Sequence, residues 1–82
     1  LGLTKYFASL YAKNKVQVNM LSPGPIYNKQ KFSFVKKLKN LIPMNRMASR
    51  EDLTQALLFL LNDKNNYLTG QNIIVDGGKT LI

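Results

Sequence analysis

The chain has 82 residues, enough for one small domain at most. Its composition, 45% hydrophobic and 20% charged, excludes a disordered polyelectrolyte. The lack of cysteine and histidine excludes a disulfide framework, a thiolate or imidazole metal site and a histidine general base.

A net charge of +8 raises the question of an anionic partner. Five of the twelve basic residues lie within Lys29 to Lys39, interleaved with Phe32, Phe34, Val35 and Leu38. This basic amphipathic pattern suits phosphate, anionic lipid or a partner groove. The apolar residues have core-type spacing and no base-reading motif accompanies the charge, so the reading adopted is a solvated helix face, with no specific nucleic acid. Leu1 opens without the basic lead-in and apolar core of a signal peptide. The longest apolar run, Ala56 to Leu61, is too short to span a bilayer. The expectation is a cytoplasmic protein without a membrane partner.

Leu3, Phe7, Leu10 and Tyr11 recur at helical spacing and predict a helix over Gly2 to Lys13, with Asn14 as its stop. Val16, Val18 and Met20 alternate with Gln17 and Asn19, predicting a short strand from Val16 to Leu21 that ends at Ser22-Pro23-Gly24-Pro25. Lys31 to Asn40 reads as a second helix, stopped before Pro43. Ser49 is a helix cap, and Glu51 and Asp52 suit the positive end of the helix dipole. Leu53, Ala56, Leu57, Leu60 and Leu61 then trace one apolar face, expected to be fully buried. Tyr67 to Gly70 turns the chain into a strand, Gln71 to Val75, whose Ile73-Ile74-Val75 run predicts burial on both faces. Asp76-Gly77-Gly78 closes it, with Asp76 expected to accept from the glycine N–H groups. Arg46 is expected to anchor its loop through carbonyls or an acid.

The order helix, strand, helix, helix, strand implies a parallel pair with a crossover. Two parallel strands cannot cover both of their faces, so the pattern looks like the end of a larger doubly wound α/β fold. The same lack of cover predicts that the chain is no stable monomer and persists by pairing with other chains.

Four segments, in order, resemble the C-terminal part of the short-chain dehydrogenases/reductases. Leu1 to Lys5 is similar to the helix just beyond the family's catalytic Tyr-x-x-x-Lys. Val18 to Gly24 resembles its strand ending in a Pro-Gly corner. Pro43-Met44-Asn45-Arg46-Met47 with Glu51-Asp52 resembles its Pro-x-x-Arg-x stretch before an acidic helix start. Tyr67 to Gly78 resembles its last strand.

The resemblance implies that residues 1–82 form the C-terminal segment of a single NAD(P)-binding, Rossmann-like domain. The implied enzyme transfers hydride between nicotinamide and a carbonyl or hydroxyl carbon of a small-molecule substrate. Ile26 would offer its backbone N–H and C=O to the nicotinamide carboxamide, with Pro23 and Gly24 beneath the ring. Asn28 stands where the family often has threonine, and Pro25 and Tyr27 would face the substrate. The family's glycine-rich phosphate turn, Gly-x-x-x-Gly-x-Gly, does not occur in these residues, nor does its catalytic Ser, Tyr and Lys set. Tyr6 is followed four residues on by Leu10. Tyr11 and Lys15 have the right spacing but straddle a helix end, so neither is taken as catalytic. The resemblance places the catalytic pair just before Leu1 and implies that residues 1–82 alone are inactive. It also implies a homo-oligomer, through the last strand and the helix before it, or association with the N-terminal part of the same protein. The alternative is a small basic protein that binds nucleic acid or membrane through Lys29 to Lys39.

Overall fold

In a computed structural model, residues 1–81 are described. The elements run α1 (Gly2–Tyr11), β1 (Met20–Pro23), α2 (Phe32–Asn40), α3 (Arg50–Leu61) and β2 (Asn72–Val75). Short 3-10 turns follow α1 at Ala12–Asn14 and β2 at Lys79–Leu81. The expected helix to Lys13 therefore tightens after Tyr11. Lys15, in the left-handed region at φ 62°, closes it by donating its N–H to the Ala12 carbonyl.

The two strands pair in parallel, Met20 opposite Asn72 and Pro23 opposite Val75, as the order of elements predicts. The first strand is nevertheless shifted: it starts at Met20 rather than Val16 and runs on to Pro23. Polar side chains explain the late start. Val18 N–H donates to Thr69 Oγ1 (3.0 Å), Asn19 Nδ2 to the Leu68 carbonyl (3.0 Å) and Gln71 N–H to Asn19 Oδ1 (3.1 Å). These side-chain bonds, with one backbone bond from Gly70 N–H to the Val18 carbonyl (2.8 Å), stand where a ladder would have run, and the ladder begins only after Asn19. Proline tolerates the last place in β1 because it has no N–H to leave unpaired.

α3 is capped as its sequence predicts. Ser49 Oγ accepts from the Asp52 N–H, and Asp52 accepts in return from the Ser49 N–H (2.8 Å), a reciprocal capping box. Its apolar face is not fully buried, in contrast to the expectation: Leu57 is 46% and Leu61 67% exposed. Leu53, Ala56 and Leu60 are only half-buried, beside the two strands that α3 packs against. Ile74, expected to be covered, is 50% exposed. A single layer of helix on a two-stranded sheet covers one side, and the other meets no further layer among the described residues.

Among the described residues the buried apolar side chains are Ala8, Ile42 and Met47. Ala8 sits beside Gly70, and Ile42 against Gly77. Gly77 combines a φ of +65° with an Ile42 methyl 2.7 Å from where a Cβ would stand, so both backbone and space require glycine there.

The molecule exposes 6639 Å², whereas a folded monomer of its 9.3 kDa mass exposes about 5,000 Å². Its radius of gyration is 15.4 Å, against about 12 Å for a compact domain of this length. Exposed large apolar side chains occur on α1, α2 and α3, on β2 at Ile74 and in loops at Tyr27, Met44 and Tyr67. Sedimentation of residues 1–82 is expected to show oligomers or aggregates and no cooperative thermal transition of a monomer. A sharp monomer boundary with such a transition would contradict this.

Candidate functional site

The corner after β1 is built by backbone contacts to two other parts of the chain. At its start, Gly24 donates its N–H to the Val75 carbonyl (2.9 Å), extending the ladder by one bond. A Cβ on Gly24 would lie 2.7 Å from Asp76 Cβ and 2.8 Å from Asp76 Cα. The glycine is thus required by the crossing of the chain just beyond β2, inside this segment. That is a different reason from the ring approach that the family resemblance implies at the same residue.

Beyond Gly24 the chain runs alongside the residue before the α3 cap. Pro25 C=O accepts from the Ala48 N–H (2.8 Å), and Tyr27 N–H donates to the Ala48 carbonyl (2.9 Å), so Ile26 and Ala48 form a parallel bridge. Successive peptide groups of an extended chain point to opposite sides. Since Pro25 C=O and Tyr27 N–H face Ala48, the N–H and C=O of Ile26 face away from it. The Ile26 N–H has no hydrogen-bond partner among the described residues, and its C=O accepts one bond, from Gln30 Nε2 (2.9 Å). The Asn28 side chain makes no hydrogen bond among the described residues, while its N–H donates to Gln30 Oε1 (2.7 Å). The sequence reading passed over Gln30. Its signal is a glutamine two and four residues beyond the backbone groups it holds, legible only once the turn at Lys29 (φ 57°) is known.

Two open clefts flank the corner. One, of about 550 Å³, is lined by Pro23, Gly24, Pro25 and Asp76 among others. The other, of about 390 Å³, reaches Pro25 from the side of Ile42, Arg46 and Asp52. Ile26, Tyr27 and Asn28 line neither; Tyr27 and Asn28 are exposed and Ile26 is half-buried. The structure therefore brings Pro23, Gly24 and Pro25 to a cleft and leaves the carboxamide-type groups of Ile26 on an open face.

Arg46 grips Asp52 with two nitrogens, Nη1 to Oδ2 at 2.7 Å and Nη2 to Oδ1 at 3.1 Å, and Nη1 also reaches the Met47 carbonyl (3.3 Å). This is the loop anchor expected of Arg46, through an acid and a carbonyl together. The Arg46 hydrogen bond, followed by those of the Ser49 N–H and hydroxyl, holds the Asp52 carboxyl far below the usual carboxylate range. The same pairing raises Arg46. Asp76 accepts from Gly78 N–H (2.9 Å) and Thr80 N–H (3.0 Å) rather than from Gly77. Desolvation is the largest single influence on it and pushes upward. The bonds from Thr80, Gly78 and Lys79 together outweigh that and leave it lowered. The lysines of Lys29 to Lys39 are all exposed and make no ion pair among the described residues.

The family model described as enoyl-(acyl carrier protein) reductase matches residues 1–80. The chain belongs to the short-chain dehydrogenase/reductase family. It is 36% identical to an uncharacterized oxidoreductase of Mycobacterium tuberculosis, over 98% of this chain and 34% of that protein. A short-chain dehydrogenase of Leptospira borgpetersenii, solved with bound NAD+, superposes with a TM-score of 0.90 at 37% identity, covering 96% of this chain and 31% of that one. YwfH, described as an NADPH-dependent reductase involved in bacilysin biosynthesis, gives a TM-score of 0.85 at 29% identity over 95% of this chain and 35% of its own. The chain thus spans about a third of the length of the curated relatives it matches. The fold is the Rossmann-like α/β fold of the family, as the order of elements and the parallel pairing imply.

Two measurements follow from this geometry. In the full chain as its gene encodes it, Gly24→Ala is expected to lower stability by about 1–3 kcal/mol in urea melts, the usual cost of overpacking. Gly2→Ala, with open space around its Cβ, should leave stability unchanged or slightly raised. For Asp52 the folded carboxyl titrates below the unfolded one. Its contribution is therefore fully present above the ordinary carboxylate pKa of about 3.9 and is lost as pH falls through the depressed folded value. Nuclear magnetic resonance titration should find the Asp52 midpoint well below the ordinary carboxylate value, and Arg46→Met should move it upward.

Proposed function

We propose that this segment supplies the nicotinamide-side corner of an NAD(P)-dependent oxidoreductase acting on a carbonyl or hydroxyl group of a small molecule. The observation that carries this is the Ile26 peptide pair. A free N–H and a C=O with spare acceptor capacity, side by side on one face, complement a primary carboxamide, which presents one acceptor oxygen and an NH2 donor. Ile26 would hold the carboxamide and Pro23 and Gly24 the ring, while the unengaged Asn28 amide would donate or accept beside them. Pro25 and Tyr27 would face the substrate. The bound nicotinamide supplies the hydride donor or acceptor; these residues bind and orient it.

The cofactors of two solved relatives, NAD+ for one and NADPH for the other, support the same class of ligand here. In this reading residues 1–82 are the C-terminal segment of one Rossmann-like domain, working in the cytoplasm. The exposed apolar faces of α1 and α3 are met by the rest of that domain or by further copies. Residues 1–82 carry no glycine-rich turn to cradle a pyrophosphate, so alone they neither bind the cofactor appreciably nor turn over substrate.

Titration calorimetry tests the reading. Saturable binding of NADH or NADPH is expected for the full chain as its gene encodes it, and none for residues 1–82 alone. Micromolar binding or cofactor-dependent turnover by residues 1–82 would contradict the second expectation, and a full chain indifferent to both cofactors would contradict the first.

A further inference from the structure

Gln30 is the one side chain whose two amide ends are both spent on the corner. Nε2 donates to the Ile26 carbonyl (2.9 Å) and Oε1 accepts from the Asn28 N–H (2.7 Å). These groups lie on the face of the chain opposite Ala48, where the Ile26 N–H is also presented. The segment Pro25 to Asn28 is therefore held from both sides. Ala48 fixes Pro25 C=O and Tyr27 N–H, and Gln30 fixes Ile26 C=O and Asn28 N–H. The return needed to bring Gln30 back onto its own upstream backbone is made at Lys29, in the left-handed region at φ 57°. A conformation unfavourable to a residue with a side chain is thus held by the clasp that it permits.

We infer that Gln30 is a positioning residue for the carboxamide-binding peptide, an assignment that rests on the reading of Ile26 given above. Without the clasp, the peptide between Ile26 and Tyr27 is tied only at its Tyr27 N–H. The Asn28 peptide is then tied at neither of its groups. With it, the Ile26 C=O keeps one lone-pair direction engaged and aims the other at the open face, beside the Ile26 N–H. An amide side chain is required because one bond needs a donor and the other an acceptor. Aspartate, glutamate or lysine offers only one of these at neutral pH.

The test uses the full chain as its gene encodes it, with Gln30→Ala and Gln30→Glu. Two probes are titrated: NADH or NADPH, and the matching ADP-ribose or its 2′-phosphate, which lacks the nicotinamide. Gln30→Ala is expected to weaken NAD(P)H binding by about tenfold, the scale of one or two net hydrogen bonds, and to leave the ADP-ribose probe unchanged. A general loss of structure would weaken both probes alike. Gln30→Glu should bind NAD(P)H weakly at pH 8, where its carboxylate faces the Ile26 carbonyl without a proton. Binding should recover as pH falls toward 5 and the acid form, with an O–H donor, becomes populated. The wild type should show no such recovery. Unchanged or tighter NAD(P)H binding in Gln30→Ala, equal loss of both probes, or a Gln30→Glu profile parallel to wild type would overturn the inference. A wild-type full chain that binds neither NADH nor NADPH would overturn the reading of Ile26, and the inference with it.

Discussion

The constraint on which the rest depends is the close crossing of Gly24 over Asp76. Parallel pairing carries β1 and β2 forward together, and just past their ends the two backbones come within a Cβ's width of each other. Any side chain at Gly24 would force them apart. Because they stay together, the chain leaves the sheet at a fixed angle and passes beside Ala48, where two hydrogen bonds take over from the ladder. Asp76 is held in turn by its own turn, accepting from Gly78 and Thr80. The corner is thus a continuation of the sheet by other means rather than a free loop.

A second, electrostatic device places the far side of the corner. Arg46 and Ser49 converge on Asp52, so a single carboxylate caps α3 and fixes the segment leading into it. Ala48 lies between Arg46 and Ser49. Its N–H and C=O reach the corner only because the residues on either side are pinned to the same acid. The pair is exposed, and such pairs add little to stability by Coulomb attraction alone. Its value here is geometric: a bidentate guanidinium and a capping box restrict orientation as well as distance.

What was legible in the sequence follows from where the forces are local. The α3 cap, the loop anchor at Arg46 and the parallel strand order could be read because each rests on residues near in sequence or on element order. The Pro-Gly corner could be placed through its likeness to a family. The start of β1 could not. Val16 and Val18 alternate as a strand should, but the side chains of Thr69 and Asn19, some fifty positions apart, take the Val18 and Gln71 N–H groups that a ladder would have paired. The burial of α3 and Ile74 was misjudged for a different reason. Apolar periodicity reports which face seeks cover and says nothing about whether the cover lies in the same chain. Gln30 escaped notice because its role depends on a left-handed lysine, a conformation that no residue preference announces.

The polar and apolar halves of this structure come to different balances. Among the described residues no buried side-chain nitrogen or oxygen lacks a hydrogen bond, and of the backbone N–H groups from Gly24 to Asn28 that of Ile26 alone has no partner. Many apolar side chains, by contrast, lie open on three helices, one strand and the loops between them. Hydrogen bonds need partners at fixed distance and angle, and this segment holds its own. Apolar burial needs only area, which any complementary surface can provide. The geometry of the candidate site is therefore written within these residues, while the walls that would exclude water from it are not. The proposed role of Ile26 fits that division: its N–H is the one donor the corner leaves unspent among the described residues, and the surface that would enclose it is a second one.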